Sequence, residues 1–240
     1  MSVSSILGVA AALYRLLFRR SVAIAAVVYA VIALVDLAAD QLHGPTAGLL
    51  LGLLAFSLRF AGPVLVQGAL VQIVRNIHEG ERPEAIGALF RSAGSRIGSL
   101  VWASIVYGLG VGFGLLFFVV PGLLAAARWC LMAPLIMLEN ADAREARHFS
   151  SSMVRGKTAT VLAAVVVSFV LTSAGSVFAY VAGLEIGDFC FVAFEYAWAS
   201  ITAPFAAHVL TVIYYNLADP ERPVIHPDVR TWKSVWSGER

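Results

Sequence analysis

The chain has 240 residues, of which 60% are hydrophobic and 13% are charged, and its formal net charge is +2. A soluble domain carries charge on about a quarter of its residues, so this composition excludes an ordinary soluble protein and indicates a membrane protein. Long apolar runs occupy most of the chain and leave no room for a separate soluble domain.

In chain order, six apolar segments are long enough to cross a bilayer, because a hydrocarbon core about 30 Å thick needs about 20 helical residues. The first is expected to be retained as a span and not cleaved as a signal peptide. Backbone polar groups cannot stay unpaired in lipid, so all six are predicted to be helices of an all-α polytopic membrane bundle. The predicted spans are 21–41, 46–75, 97–120, 122–138, 158–183 and 189–214, with a tight turn at Pro121-Gly122.

Lysine and arginine are confined to one side of this topology. Fifteen of the 17 lie in the four segments assigned to the cytoplasm, and the other two, Arg59 and Arg128, lie inside apolar runs. This positive-inside pattern predicts an integral membrane protein with both termini in the cytoplasm. The predicted organisation is a six-span membrane domain, 1–216, followed by a polar cytoplasmic tail, 217–240.

Three of the cytoplasmic segments are amphipathic, and each precedes an outgoing span. Each places apolar residues on one helical face and polar residues on the other, and each is followed by a cation. We expect these elbow helices to lie in the headgroup plane, with the apolar face toward the lipid tails and the cations toward anionic lipid. An elbow followed by a two-span hairpin, repeated three times, predicts a threefold pseudo-repeat. The segments are 4–18, 84–96 and 142–155, and the last begins with Asp142 and Glu145 in the spacing of a capping box.

Four ionisable residues lie inside apolar runs, where a charge is costly and is a functional candidate by default. Counted along straight helices at about 1.5 Å per residue, Arg128 and Glu195 lie at a similar depth and are the favoured ion pair. Asp36 is an alternative partner for Arg128 or for Arg59. Two interpretations stay open: a buried pair that fixes helix packing, or a polar pocket, open to the outside, for a solute or a lipid headgroup.

Glycines and prolines inside the spans predict how the helices meet. The third span contains YGLGVGFG, whose glycines form two strips, 108/112 and 110/114, typical of close helix packing. Prolines at 63, 134 and 204 interrupt three spans, and each frees a carbonyl that needs another donor inside the bundle. Such breaks indicate either a bend for packing or a binding site between broken helices, as in transporters.

No pattern in the sequence predicts catalysis. The five histidines lack the spacing of metal ligands, and His208 is expected to be a hydrogen-bonded core residue. Cys130 and Cys190 stand in separate apolar runs as packing residues, and the serine run 150–152 lacks the glycines of a nucleophile elbow. We therefore predict no catalytic residue, no cofactor, no metal ion and no enzymatic activity.

Two stretches carry a resemblance to a known family. PGLLAAARWCLMAPLIMLENADAREARHFSSSMVRGK, residues 121–157, resembles a bacterial membrane-protein superfamily that includes the membrane domain of glycerophosphoryl diester phosphodiesterases and the related YciC-like proteins. PFAAHVLTVIYYNL, residues 204–217, is similar to that family's closing span, although Asn216 and Ala218 stand where an acid and a base are usual. The matching positions are Pro121, Gly122, Arg128, Trp129, Pro134, Glu139, Arg155, Gly156, Lys157, Tyr214 and Tyr215.

The resemblance implies six helices in a bacterial inner membrane and a poorly defined function. The phosphodiesterase activity is not expected to carry over, because no residues remain to form that enzyme's barrel. Two functions stay open. The first is a non-enzymatic inner-membrane protein that binds lipid, including anionic lipid, or partner proteins in the envelope; nucleic acid is not an expected partner. The alternative is a transporter of a small solute or a lipid, with a polar site at Arg59, Arg128 and Glu195. A cavity that reaches Arg59 favours the transporter, and a dry bundle with all charges paired favours the first.

Overall fold

The computed structural model describes residues 2–41, 45–81, 84–186 and 188–218. Within these ranges every regular element is an α-helix, and six helical segments, one of them made of two consecutive helices, are long and apolar enough to cross a membrane. The helices are α1 Val3–Gln41, α2 Pro45–His78, α3 Ile86–Ser95, α4 Ile97–Phe117, α5 Val119–Trp129, α6 Met132–Leu138, α7 Ala143–Met153, α8 Thr158–Ile186 and α9 Asp188–Ala218. The predicted tail lies almost entirely outside the described residues.

The surface of the bundle has the character of a lipid-facing surface. Leu34, Phe56, Leu116 and Phe169, on four different helices, are each at least 67% exposed. A water-soluble protein rarely leaves so many large apolar side chains in contact with solvent. Together with the six long apolar helices, this surface identifies a multi-pass membrane protein and confirms the predicted all-α bundle.

The second predicted span is one continuous helix, whereas the fourth is interrupted. Helix α2 runs through Pro63 without interruption, so the second span is a single helix as predicted. The fourth span is two helices, because α5 ends at Trp129 and α6 begins at Met132. The turn before it lies at Phe118 and not at Pro121-Gly122. Pro121 instead occupies the first turn of α5, where a missing N–H costs no helical hydrogen bond.

The first predicted elbow is not a separate helix. Residues 4–18 continue into the first span within α1, because no glycine or proline stands near Arg19 and Arg20 to end the helix. The second and third elbows are separate helices, α3 and α7. A backbone break at Arg96, with φ −110°, follows α3, and Gly156, with φ +86°, follows α7. The Asp142 amide donates to Glu145 Oε2 at 3.1 Å, which confirms the predicted capping box.

The apolar faces of these segments pack largely on the bundle and not on lipid. Leu13 of α1, Leu89 of α3 and Ala146 of α7 are fully buried in the protein core. Phe149 of α7, which is 47% exposed, is an apolar elbow residue that stays on the surface. The prediction that these faces point toward lipid tails is therefore wrong for the buried residues, and the threefold pseudo-repeat stays a prediction.

The core lies between α1, α2 and α9. Helix α1 packs along both of the others, and α9 also packs along α8. His208 of α9 is fully buried, as expected, and its Nε2 lies 3.1 Å from the hydroxyl of Ser21 on α1. Its Nδ1 has no hydrogen-bond partner in the described part of the chain.

Candidate functional site

A charged cluster joins three helices in the half of the bundle that contains the C-terminal part of α1. Asp36 is almost fully buried, with 3% of its side chain exposed, and Arg59 Nε donates to both of its carboxylate oxygens at 2.9 Å. The hydroxyl of Tyr196 on α9 donates a third hydrogen bond to Asp36. These donors satisfy the buried carboxylate, which would otherwise be costly in an apolar bundle.

Close contact between α1 and α2 brings Asp36 within reach of Arg59. A Cβ atom placed on Gly62 would lie 2.6 Å from Ile32 Cδ1 and 3.1 Å from Val28 Cγ1, so a larger residue would require these side chains to shift. Small residues at such positions let helix backbones come together in membranes. Gly62 therefore contributes to the close packing of α1 and α2 beside the ion pair.

A cavity of about 260 Å³ lies beside the charged cluster. Its lining includes Arg59, Glu195, Tyr196 and Tyr29, and the rings of the two tyrosines stack at a centroid distance of 6.1 Å. The Arg59 side chain is 59% exposed. Its hydrogen bonds to Asp36 use Nε, so the carboxylate does not occupy the two Nη groups. The cavity therefore has a cation and a carboxylate on its wall.

An apolar groove of about 470 Å³ adjoins this cavity. Its walls come from α1, α2, α3 and the start of α4, and every lining side chain is apolar. Ile32 lines both the groove and the cavity, so the two spaces are neighbours on either side of this residue. Phe90 and Gly94 of α3 also line the groove. A polar pocket and an apolar groove therefore lie next to each other.

Of the four predicted intramembrane site residues, the structure brings three together and leaves Arg128 elsewhere. Asp36 and Arg59 form an ion pair, which was the alternative pairing, and Glu195 lines the adjacent cavity. Arg128 and Glu195 form no ion pair within the described ranges, so the favoured pairing is wrong. The depth count assumed a straight fourth span, whereas the helix ends one residue after Arg128.

Ser150 supplies hydrogen bonds at the break in the fourth span, a role that was not predicted from the sequence. Its hydroxyl donates to the Arg128 carbonyl at 2.6 Å and accepts from the Leu131 amide at 3.2 Å. Pro134 has no N–H to donate to the turn before it, and Ser150 supplies hydrogen bonds where the helical ladder is interrupted. Its full burial on an otherwise polar elbow could have been read only from the tertiary structure.

The break also leaves a second, smaller cavity of about 200 Å³. Gln67, Ser104, Tyr107 and Cys130 line it together with apolar side chains.

The residues that carry the family resemblance fall into two groups. In the first, the Tyr214 hydroxyl donates to Glu139 Oε1 at 2.6 Å, and the ring of the adjacent Tyr215 lies 4.2 Å from that of His78. These contacts join the ends of α2, α6 and α9. The pairing of Glu139 with Tyr214, 75 residues apart, closes this end of the bundle.

The second group packs α4 against α5. The Trp129 ring lies over Gly110, with the Arg147 guanidinium 5.6 Å from the ring centroid. A Cβ atom on Gly114 would lie 2.6 Å from Gly122 Cα, so the helices approach closely there. The 110/114 glycine strip therefore serves packing as predicted. Cβ atoms placed on Gly108 and Gly112 would have no neighbour within 4 Å, so the 108/112 strip does not serve close helix packing.

Compared with known proteins, the chain matches no family model, no curated protein and no solved structure.

Proposed function

We propose that this protein is a non-enzymatic inner-membrane protein, with both termini in the cytoplasm, that binds a phospholipid at the cavity beside Arg59. Membership of the phosphodiesterase membrane-domain and YciC-like superfamily belongs to the same proposal. The observation that carries it is the Arg59 side chain, which is 59% exposed and lines the polar cavity, and whose Nη groups are not held by Asp36. The apolar groove shares Ile32 with that cavity.

The chemistry of the two spaces supports an amphiphilic ligand. A guanidinium fixed by one carboxylate through Nε presents its remaining donors in a geometry that suits a phosphate. The adjoining groove has no polar side chain, so a water-soluble solute would gain nothing there, whereas an acyl chain would match it. A phospholipid places a phosphate and a hydrocarbon chain next to each other in the same way.

Glycines on α3 allow a direct test of the groove. Gly94 lines the groove and has no neighbour within 4 Å of where a Cβ atom would lie, so Gly94→Leu is expected to place a side chain in the groove. Gly87, on the same helix, also has open space but does not line the groove, and Gly87→Leu is the matched control. Lipid copurification, measured by native mass spectrometry, is expected to fall for Gly94→Leu and for Arg59→Gln. Equal lipid retention by all three variants would overturn the proposal.

A transporter of a small solute or a lipid is the second candidate. The cavity that reaches Arg59 favours it, and so does the polar-lined cavity at the broken fourth span. Movement of fluorescent phospholipid between leaflets in proteoliposomes would distinguish the two. Arg59-dependent movement supports transport, and lipid binding without movement supports the first proposal.

A further inference from the structure

We propose that the cavity beside Arg59 recognises a zwitterionic phospholipid headgroup that carries a primary ammonium, with its phosphate on Arg59 and its ammonium on Glu195. This inference rests on the proposed lipid binding and names the class of lipid. The observation behind it is that Glu195 lines the cavity yet has no ion-pair partner among the residues that the structure describes.

The charges at the site favour a ligand that carries both signs. Asp36, Arg59 and Glu195 hold two carboxylates and one guanidinium, a formal charge of −1. A purely anionic headgroup would add to this negative charge, and like charges repel one another. A zwitterion leaves the total unchanged and gives Glu195 a cationic partner. The anionic-lipid expectation from the sequence is therefore not what this cavity suits best.

The hydrogen bonds at the cluster distinguish the carboxylate of Asp36 from that of Glu195. Both oxygens of Asp36 accept from Arg59 Nε, and one of them also accepts from Tyr196. Glu195 accepts no hydrogen bond from any described residue, so it is the carboxylate available to a new donor. A primary ammonium has three N–H groups to donate, whereas a trimethylammonium has none. The site is thus expected to prefer ethanolamine-type over choline-type headgroups.

The aromatic wall provides a second reason for a cation in this cavity. Tyr29 and Tyr196 stack 6.1 Å apart and both line the space next to Glu195. Aromatic faces attract ammonium groups, most strongly where water is excluded. Glu195, Arg59 and the two tyrosine rings therefore line one cavity, which offers a carboxylate and aromatic faces to an ammonium and a guanidinium to a phosphate.

The test compares three lipids with identical acyl chains: phosphatidylethanolamine, phosphatidylcholine and phosphatidylglycerol. Each is titrated into the delipidated full-length protein in detergent, and bound lipid is measured by native mass spectrometry. We expect phosphatidylethanolamine to bind about tenfold more tightly than either of the others, since one charge-assisted hydrogen bond accounts for that factor. Glu195→Gln is expected to abolish this preference but to retain phosphatidylglycerol binding.

Two further variants keep the inference open to refutation. Glu195→Lys is expected to reverse the preference, so that phosphatidylglycerol binds best, and this gain does not arise from a damaged fold. Arg128→Gln changes an exposed charge outside the cavity and is expected to leave all three affinities unchanged. Equal affinities for the three lipids, or a preference that survives Glu195→Gln, would overturn the inference while lipid binding stands. Failure of all three lipids to bind would overturn the proposed function itself.

Discussion

The ion pair between Asp36 and Arg59 predicts an asymmetric response to mutation. Asp36 is 3% exposed, whereas the Arg59 side chain is 59% exposed. Arg59→Met leaves a buried carboxylate with one remaining donor, Tyr196, and we expect this to cost about 3–5 kcal/mol, as for other broken buried pairs. Asp36→Asn leaves an exposed guanidinium that solvent or lipid headgroups can pair, so the expected loss is about 1.5–3 kcal/mol, that of a charged hydrogen bond.

The double variant gives the sharpest outcome. In the native background Asp36→Asn removes a charge-assisted bond and destabilises the fold. In the Arg59→Met background the same change removes an unpaired buried charge, so it is expected to stabilise the fold. Unfolding of the single and double variants in mixed micelles, titrated with denaturing detergent and followed by tryptophan fluorescence, measures both effects. Additive losses, or a larger loss for Asp36→Asn than for Arg59→Met, would refute the reasoning.

Three other predictions use the same stability assay. Arg128→Gln and Glu195→Gln are expected to show no coupling in a double-mutant cycle, because the two side chains do not pair; a coupling above about 0.5 kcal/mol would contradict the structure. Ser150→Ala removes both hydrogen bonds at the break in the fourth span and is expected to cost about 1–3 kcal/mol; an unchanged unfolding midpoint would argue against that role. Gly110→Ala places a methyl group against the Trp129 ring and is expected to cost about 1–3 kcal/mol, whereas Gly108→Ala, which meets no neighbour, is expected to be neutral or stabilising.

The first elbow, which continues into the first span, buries much of its apolar face in the protein. Leu13 and Ala10 are fully buried, so this part of α1 is held by protein and is not free to lie on lipid. Phe18 and Phe149, both partly exposed on the amphipathic segments, remain available to the membrane surface. The exposed apolar surface of these segments is therefore smaller than the amphipathic pattern suggests.

The sequence by itself determined the class of protein and the number of spans. Apolar runs of about 20 residues must form helices in lipid, since each backbone group needs a partner close by in the chain. The same local logic predicted the continuous second span, the capping box of Asp142 and Glu145, and the packing role of the 110/114 glycines. These features depend on residues close together in the chain, or on properties such as apolar length and small side-chain size. Such properties have the same effect whichever helix is the neighbour.

Only the tertiary structure decided which charges meet. Asp36 lies 23 residues from Arg59 and 160 from Tyr196, and hydropathy does not encode how each helix is rotated about its axis. The predicted partner of Glu195 failed because depth was counted along a helix that ends at Trp129. Periodicity fixes which segments are helical and apolar, whereas side-chain pairing depends on where helices bend and which faces they present to one another.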